Sequence, residues 1–116
     1  MLAGIDMHDD EGRDVEVWSV INQNYTYSIS TKGRVRNDVT GRLLKPYANA
    51  EGRLQVRLRN PFGRQVDHYV HRLVAEHFLD DYDPRLKVGH ISNDLTDNRV
   101  ENVTMRESLS RPRARN

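Results

Sequence analysis

A chain of 116 residues has room for one domain or two very small modules sharing a core, and the absence of cysteine excludes disulfides and thiolate metal sites. With 36% hydrophobic and 30% charged residues the core is modest and the surface heavily charged; no apolar run approaches the ~20 residues of a membrane helix, and acids stand near the N-terminus where a signal peptide carries bases, so a cytoplasmic protein is expected. The net charge of +1 hides an asymmetry, with −5 over residues 1–17 and nine Lys or Arg against Asp38 and Glu51 over residues 32–64. Such a basic block suits an anionic partner, or equally an ordinary solvated face.

Residues 1–14 hold a string of acids with Gly4 and Gly12 and show no periodicity, which reads as a flexible tail. From Val15 to Ile29 the pattern is β-like: Val17 to Ile21 is a short apolar piece, Asn22 to Asn24 breaks it, and Tyr25 to Ile29 alternates at period two. Ser30 to Gly33 is a turn, Arg34 to Arg36 a strand, Asn37 to Gly41 another turn, and Arg42 to Pro46 a last short strand whose pairing Pro46 ends. The spacing predicts a meander of short strands.

Gly52 to Leu58 is the clearest strand, with Leu54, Val56 and Leu58 on one face and Arg53, Gln55 and Arg57 on the other. Asn60 to Gly63 turns it into a hairpin with Arg64 to Val70. Arg34, Arg36, Arg53, Arg57 and Arg64, at alternating positions, suit the phosphates or guanine acceptors of a DNA major groove. A merely solvated face would be served as well by Thr, Glu or Lys. Val70, Leu73, Val74 and Phe78 change the period to that of one helix face, and Asp80 to Pro84 ends the helix. Here His71 is expected to cap or pack the helix end, and His68 and His77 to lie at the surface.

Leu86 to Val88 then leads through Gly89 to His90. Residues 92–98 are dense in Asn, Asp and Thr, which bond to their own backbone, so a tight loop precedes the second apolar run at Val103. A loop of that kind can hold one histidine rigidly beside acceptors for a divalent metal. In phosphodiester hydrolysis a neutral His deprotonates water while a hard cation stabilises the scissile phosphate. Without cysteine, the ligands for such an ion must be His, carboxylate, amide oxygen or phosphate.

Lys87 to Val103 resembles the HNH endonucleases of phage and intron origin, which read Val-x-His-Ile-Asp-Gly-Asp, a few residues, then Asn-Asn-Arg-x-x-Asn-Leu. The chain keeps His90, Asp94, Asn98, Arg99 and Asn102 of that pattern. Val70 to Phe78 is similar to the helix that introduces the motif. Trp18, Tyr25-x-Tyr27-x-Ile29-Ser30, Gly33-Arg34-Val35 and Gly41 to Pro46 are similar to a small DNA-binding module often found in front of HNH domains in homing endonucleases, over about residues 16–48.

The resemblance implies an α+β fold: an antiparallel sheet of short strands, a helix, and a ββα-metal-type HNH motif. It divides the chain into an acidic tail (1–14), a β-rich DNA-binding module (15–69), an HNH-like motif (70–110) and a basic tail (111–116). It implies a small phage-type endonuclease that nicks or cuts double-stranded DNA with Mg²⁺ or Mn²⁺. His90 is then the general base, Asn102 ties the loop, and Asp94 and Asn98 are the candidates on the metal side. The DNA contacts fall to Arg34, Arg36, Lys45, Arg53, Arg57, Arg59, Arg64, Arg72 and Arg99.

Three departures from the pattern matter. Gly89 stands where many members carry an Asp or Asn metal ligand, and Ser92 and Asn93 replace the Asp-Gly of the loop. The region of the second ligand offers only Glu107, with Pro112 limiting any helix. A relative that had lost the metal would keep the sheet and loop for binding DNA, with Arg111, Arg113 and Arg115 on phosphates, or would regulate a protein partner.

Overall fold

The computed structural model describes residues 15–106. The acidic tail and the expectations placed on Glu107, Arg111, Arg113 and Arg115 lie outside the described residues.

The β-forming N-terminal third folds as β1 (Trp18–Val20), β2 (Tyr27–Ser30) and β3 (Val35–Asn37), an antiparallel sheet in that order. Two turns make it possible. Gln23 takes a left-handed conformation (φ 65°) between the first two strands, and Gly33 (φ 79°) between the second and third. Alternation then sorts the side chains: Ile29 and Val35, paired across β2 and β3, are buried, while Trp18, Arg34 and Arg36 share the other face.

The second sheet is β4 (Tyr47–Ala48), β5 (Leu54–Arg59) and β6 (Gln65–Tyr69). Val56 and Leu58 are buried, and the hairpin register sets Arg57 opposite Asp67. From β6 the chain passes directly into α1 (Val70–Phe78), whose Val70, Leu73, Val74 and Phe78 are buried as their spacing requires, together with His71 and Ala75. A third, two-stranded sheet pairs β7 (Lys87–His90) with β8 (Val103–Arg106). One apolar core draws on all three sheets and the helix, from Ile29 and Val35 through Val56 and Leu58 to Val70, Val74 and Val103.

The class is α+β with antiparallel pairing throughout the described residues; β1 to β3 form a meander of short strands as expected, but the β-rich part is divided between two small sheets rather than gathered in one. Residues 42–46 pair only through a single bridge, Arg36 with Leu43, and Pro46 leads into β4 rather than closing a strand. A proline has no N–H to give a ladder, so it fits the residue just before a strand as well as the one after. His77 also departs from expectation. Its Nδ1 lies 2.9 Å from the Leu73 carbonyl and its Nε2 accepts the Asn22 N–H at 3.0 Å, which fastens the helix to the N-terminal turn. His68 is half-buried on β6.

Candidate active site

His90 is the last residue of β7, opposite Val103, and is buried. Its Nε2 stands 2.7 Å from Asn98 Oδ1. An amide oxygen only accepts, so Nε2 carries the proton and donates it, which leaves the lone pair on Nδ1. Asn98 is itself buried, and what backs it is Gly33. A Cβ on Gly33 would fall 2.9 Å from both Asn98 Cβ and Asn98 O. Beside this contact the Thr31 carbonyl accepts the Val100 N–H at 2.8 Å. The turn between β2 and β3 is thus the floor under the His90 loop.

Substituting Gly33→Ala forces a left-handed backbone onto a residue with a Cβ and drives that Cβ into Asn98, so a stability loss of about 1–3 kcal/mol is expected. Thermal melts check the loss, and the imidazole resonances of His90 should shift with it. An unchanged melt and an unchanged spectrum would count against the floor.

Asn102 closes the loop from the other side. Its Oδ1 accepts the Ser92 N–H at 2.9 Å, and its Nδ2 donates to Ser92 Oγ at 3.0 Å and to the Asp97 carbonyl at 2.9 Å. Its own carbonyl accepts the Ile91 N–H at 2.8 Å. Asn102→Ala strands a backbone N–H and a carbonyl in a part-buried loop, and should lower stability by about 3 kcal/mol. A denaturant midpoint that does not move would show that something else holds the loop.

Asp94, Asn98 and Asp97 are each engaged inside the loop. Asp94 Oδ1 accepts the Thr96 hydroxyl at 2.6 Å and the Thr96 N–H at 3.0 Å, and the hydroxyl in particular holds this carboxyl below its ordinary range. Asp97 is held down chiefly by the Arg99 guanidinium, 2.8 Å away. Asn98 Oδ1 is taken by His90. Among the described residues no three His, Cys, Asp or Glu side chains converge as a metal cage would need.

Two further residues stand at the site. His71 packs its ring against His90, centroids 4.9 Å apart, and its buried Nδ1 has no hydrogen-bond partner. Packing was expected of it, but no spacing in the sequence joins positions 71 and 90. Arg106 stands directly across from Lys87 in the β7–β8 register and donates from its guanidinium to the His90 carbonyl at 2.9 Å. Antiparallel pairing gives this position, but only once the register is known.

The basic residues expected on DNA are scattered. Arg34 is bonded to Glu16, and Arg36 to Asp38 at 2.8 Å; both lie over the Trp18 ring, their guanidinium carbons 5.7 and 4.1 Å from its centroid. Arg53 pairs with Glu51 at 2.7 Å and Arg57 with Asp67 at 2.9 Å. Arg99 pairs with Asp97, and Arg59 donates to the Gly63 carbonyl. Arg72 is a strap, donating to the Pro84 and Leu86 carbonyls.

Arg64 extends β6 on the parity of Val66 and His68, which stand opposite Leu58 and Val56, so it does not share a face with Arg57. Lys45 lies beside Tyr27 and Arg42 in a separate cavity. Of these residues Arg53 is the one that lines the cleft at His90. Exposed ion pairs are worth only about 0–1 kcal/mol, so the paired arginines can exchange their carboxylates for phosphates at small cost.

Residues 16–59 match the family model described as the NUMOD4 motif. The match starts where the sequence places the N-terminal module and runs on to the end of β5. The chain is similar to a solved structure described as "DNA binding and cleavage by the HNH homing endonuclease I-HmuI", with a TM-score of 0.73 and 28% identity. The likeness covers 78% of this chain and 52% of that one, so the chain spans about half the length of the protein it matches. The comparison with curated proteins gave no match. Together these findings support an HNH-endonuclease-like fold. No helix among the described residues is long and apolar enough to cross a membrane.

Proposed function

We propose that this chain binds double-stranded DNA and cleaves its backbone as an HNH-type endonuclease, with His90 as the general base. The observation that carries this is the bond from His90 Nε2 to Asn98 Oδ1, which leaves Nδ1 free to take a proton. The similarity to a DNA-binding and DNA-cleaving homing endonuclease supplies the substrate class. In the proposed step Nδ1 removes a proton from water, the oxygen attacks phosphorus, and the P–O3′ bond breaks as the leaving oxygen takes a proton from solvent. Asn102 is a positioning residue, since it braces the loop that sets Asn98 and His90. In this reading β7 and β8 are the hairpin of a ββα-metal-type motif.

Mg²⁺ or Mn²⁺ would stabilise the phosphate charge in such a motif, and the residues described here do not fit either ion. Gly89 has no side chain, Asn98 is committed to His90, and Asp94 and Asp97 are turned to loop partners. We therefore assign no step to a metal. The same observation favours a second reading, in which the chain binds DNA without cutting it.

A supercoiled-plasmid assay with a gel shift separates the two. Nicking by the wild-type protein that is lost in His90→Ala supports the endonuclease. Salt-sensitive binding with no nicking supports the binding module. No binding at all removes both.

A further inference from the structure

The place left by the missing ligand at Gly89 is filled. A Cβ built on Gly89 would fall within the Arg106 side chain, 2.5 Å from Cδ and 2.9 Å from Cζ. The guanidinium is anchored there by its bond to the His90 carbonyl. Position 89 therefore combines the one residue type with no side chain and a cation lying over it. A metal ion beside His90 would meet an arginine where its carboxylate ligand should be, and like charges repel.

The register sharpens this. Lys87 and Arg106 are directly opposite on β7 and β8, and Gly89 and Thr104 continue the same face. Like charges directly opposite on a sheet are destabilising, so a pair of cations there is relieved by an anion between them. A cleft of about 370 Å³ opens at this spot, lined by Arg53, Lys87, Gly89, His90, Ser92 and Arg106. Arg53 has Glu51 as a partner; no carboxylate is bonded to Lys87 or Arg106 among the described residues. A guanidinium fork offers paired donors that match two phosphate oxygens, and it needs no divalent ion to do so.

We propose that Arg106 takes the place of the metal, so that this cleft holds a DNA phosphodiester through Arg106, flanked by Lys87 and Arg53, without a divalent cation. The inference rests on the reading that the His90 loop faces DNA.

The test is fluorescence anisotropy on a labelled DNA duplex at fixed ionic strength, with chelator and with Mg²⁺. It compares the wild type with Arg106→Ala, Arg106→Lys and Arg85→Ala. Arg85 is an exposed arginine paired with Asp83 and serves as the control for loss of one charge. The wild type should bind within about twofold in the two conditions, and Arg106→Ala should weaken binding about tenfold, the size of one charge-assisted contact. Arg106→Lys should recover part of that loss, and Arg85→Ala should stay within about twofold of wild type.

Arg106→Ala binding as well as Arg85→Ala would overturn the proposal and leave the DNA reading standing. So would wild-type binding that collapses in chelator. A wild-type protein with no affinity for DNA removes the DNA reading, and this inference falls with it.

Discussion

His90→Ala should reduce plasmid nicking by about 10²–10⁴-fold while leaving DNA affinity close to that of wild type, because a positioned general base contributes about that factor. The side chain is buried at the end of β7, and none of the paired arginines depends on it, so its removal takes away a proton acceptor rather than a binding surface. Asn98→Ala should fall between the two. It keeps the imidazole but frees Nε2, so the ring can carry its proton on the wrong nitrogen. Nicking that survives in His90→Ala would remove His90 from the chemistry and send the search for a base elsewhere.

The second large effect is on stability and pH. His71 is buried between Tyr69 and His90 with its Nδ1 unpartnered. Burial, followed by the nearby His90, Arg53 and Arg72, pushes its imidazole from 6.5 down to about 4. Every one of these influences disfavours the charged ring. An unfolded chain therefore takes up the proton near pH 6.5, whereas the folded chain resists it until about pH 4.

Above about pH 6.5 the ring is neutral in the folded and unfolded chain alike, and stability is lost as pH falls from there to about 4. At about 1.4 kcal/mol per pH unit, that amounts to about 3 kcal/mol. Urea midpoints of wild type and His71→Gln, taken between pH 7.5 and 4.5, should keep a constant offset above about pH 6.5, and the wild type should lose stability relative to the variant as pH falls below it. Parallel curves would mean that His71 is not the group responsible.

Local pattern made much of this molecule legible. The period-two run of β5, the turn at Asn60–Gly63 and the helix from Val70 to Phe78 follow from side-chain alternation and spacing, which depend only on neighbours in sequence. The loop of residues 92–98 was equally readable, because Asn, Asp, Ser and Thr bond to backbone a few residues away; the tie from Asn102 came from the family pattern. What escaped were contacts across long separations. Nothing local says that Gly33 backs Asn98, that His71 lies on His90, or that Arg106 covers Gly89. The division of the β-rich part into separate sheets was hidden for the same reason: two-to-six-residue strands choose their partners by packing rather than by propensity. The alternating arginines do not share one face. Alternation fixes a face only within one sheet, and these residues belong to two.

Trp18 is the only tryptophan in the chain, and its indole is bracketed by the guanidinium groups of Arg34 and Arg36. Each arginine is held there by a carboxylate, Glu16 or Asp38. Indole emission responds to the charges beside the ring, so any anion that draws those two arginines away writes its arrival into the colour and intensity of a single fluorophore. The protein carries its own optical gauge on the face of its first sheet, far in sequence from His90 and requiring no label.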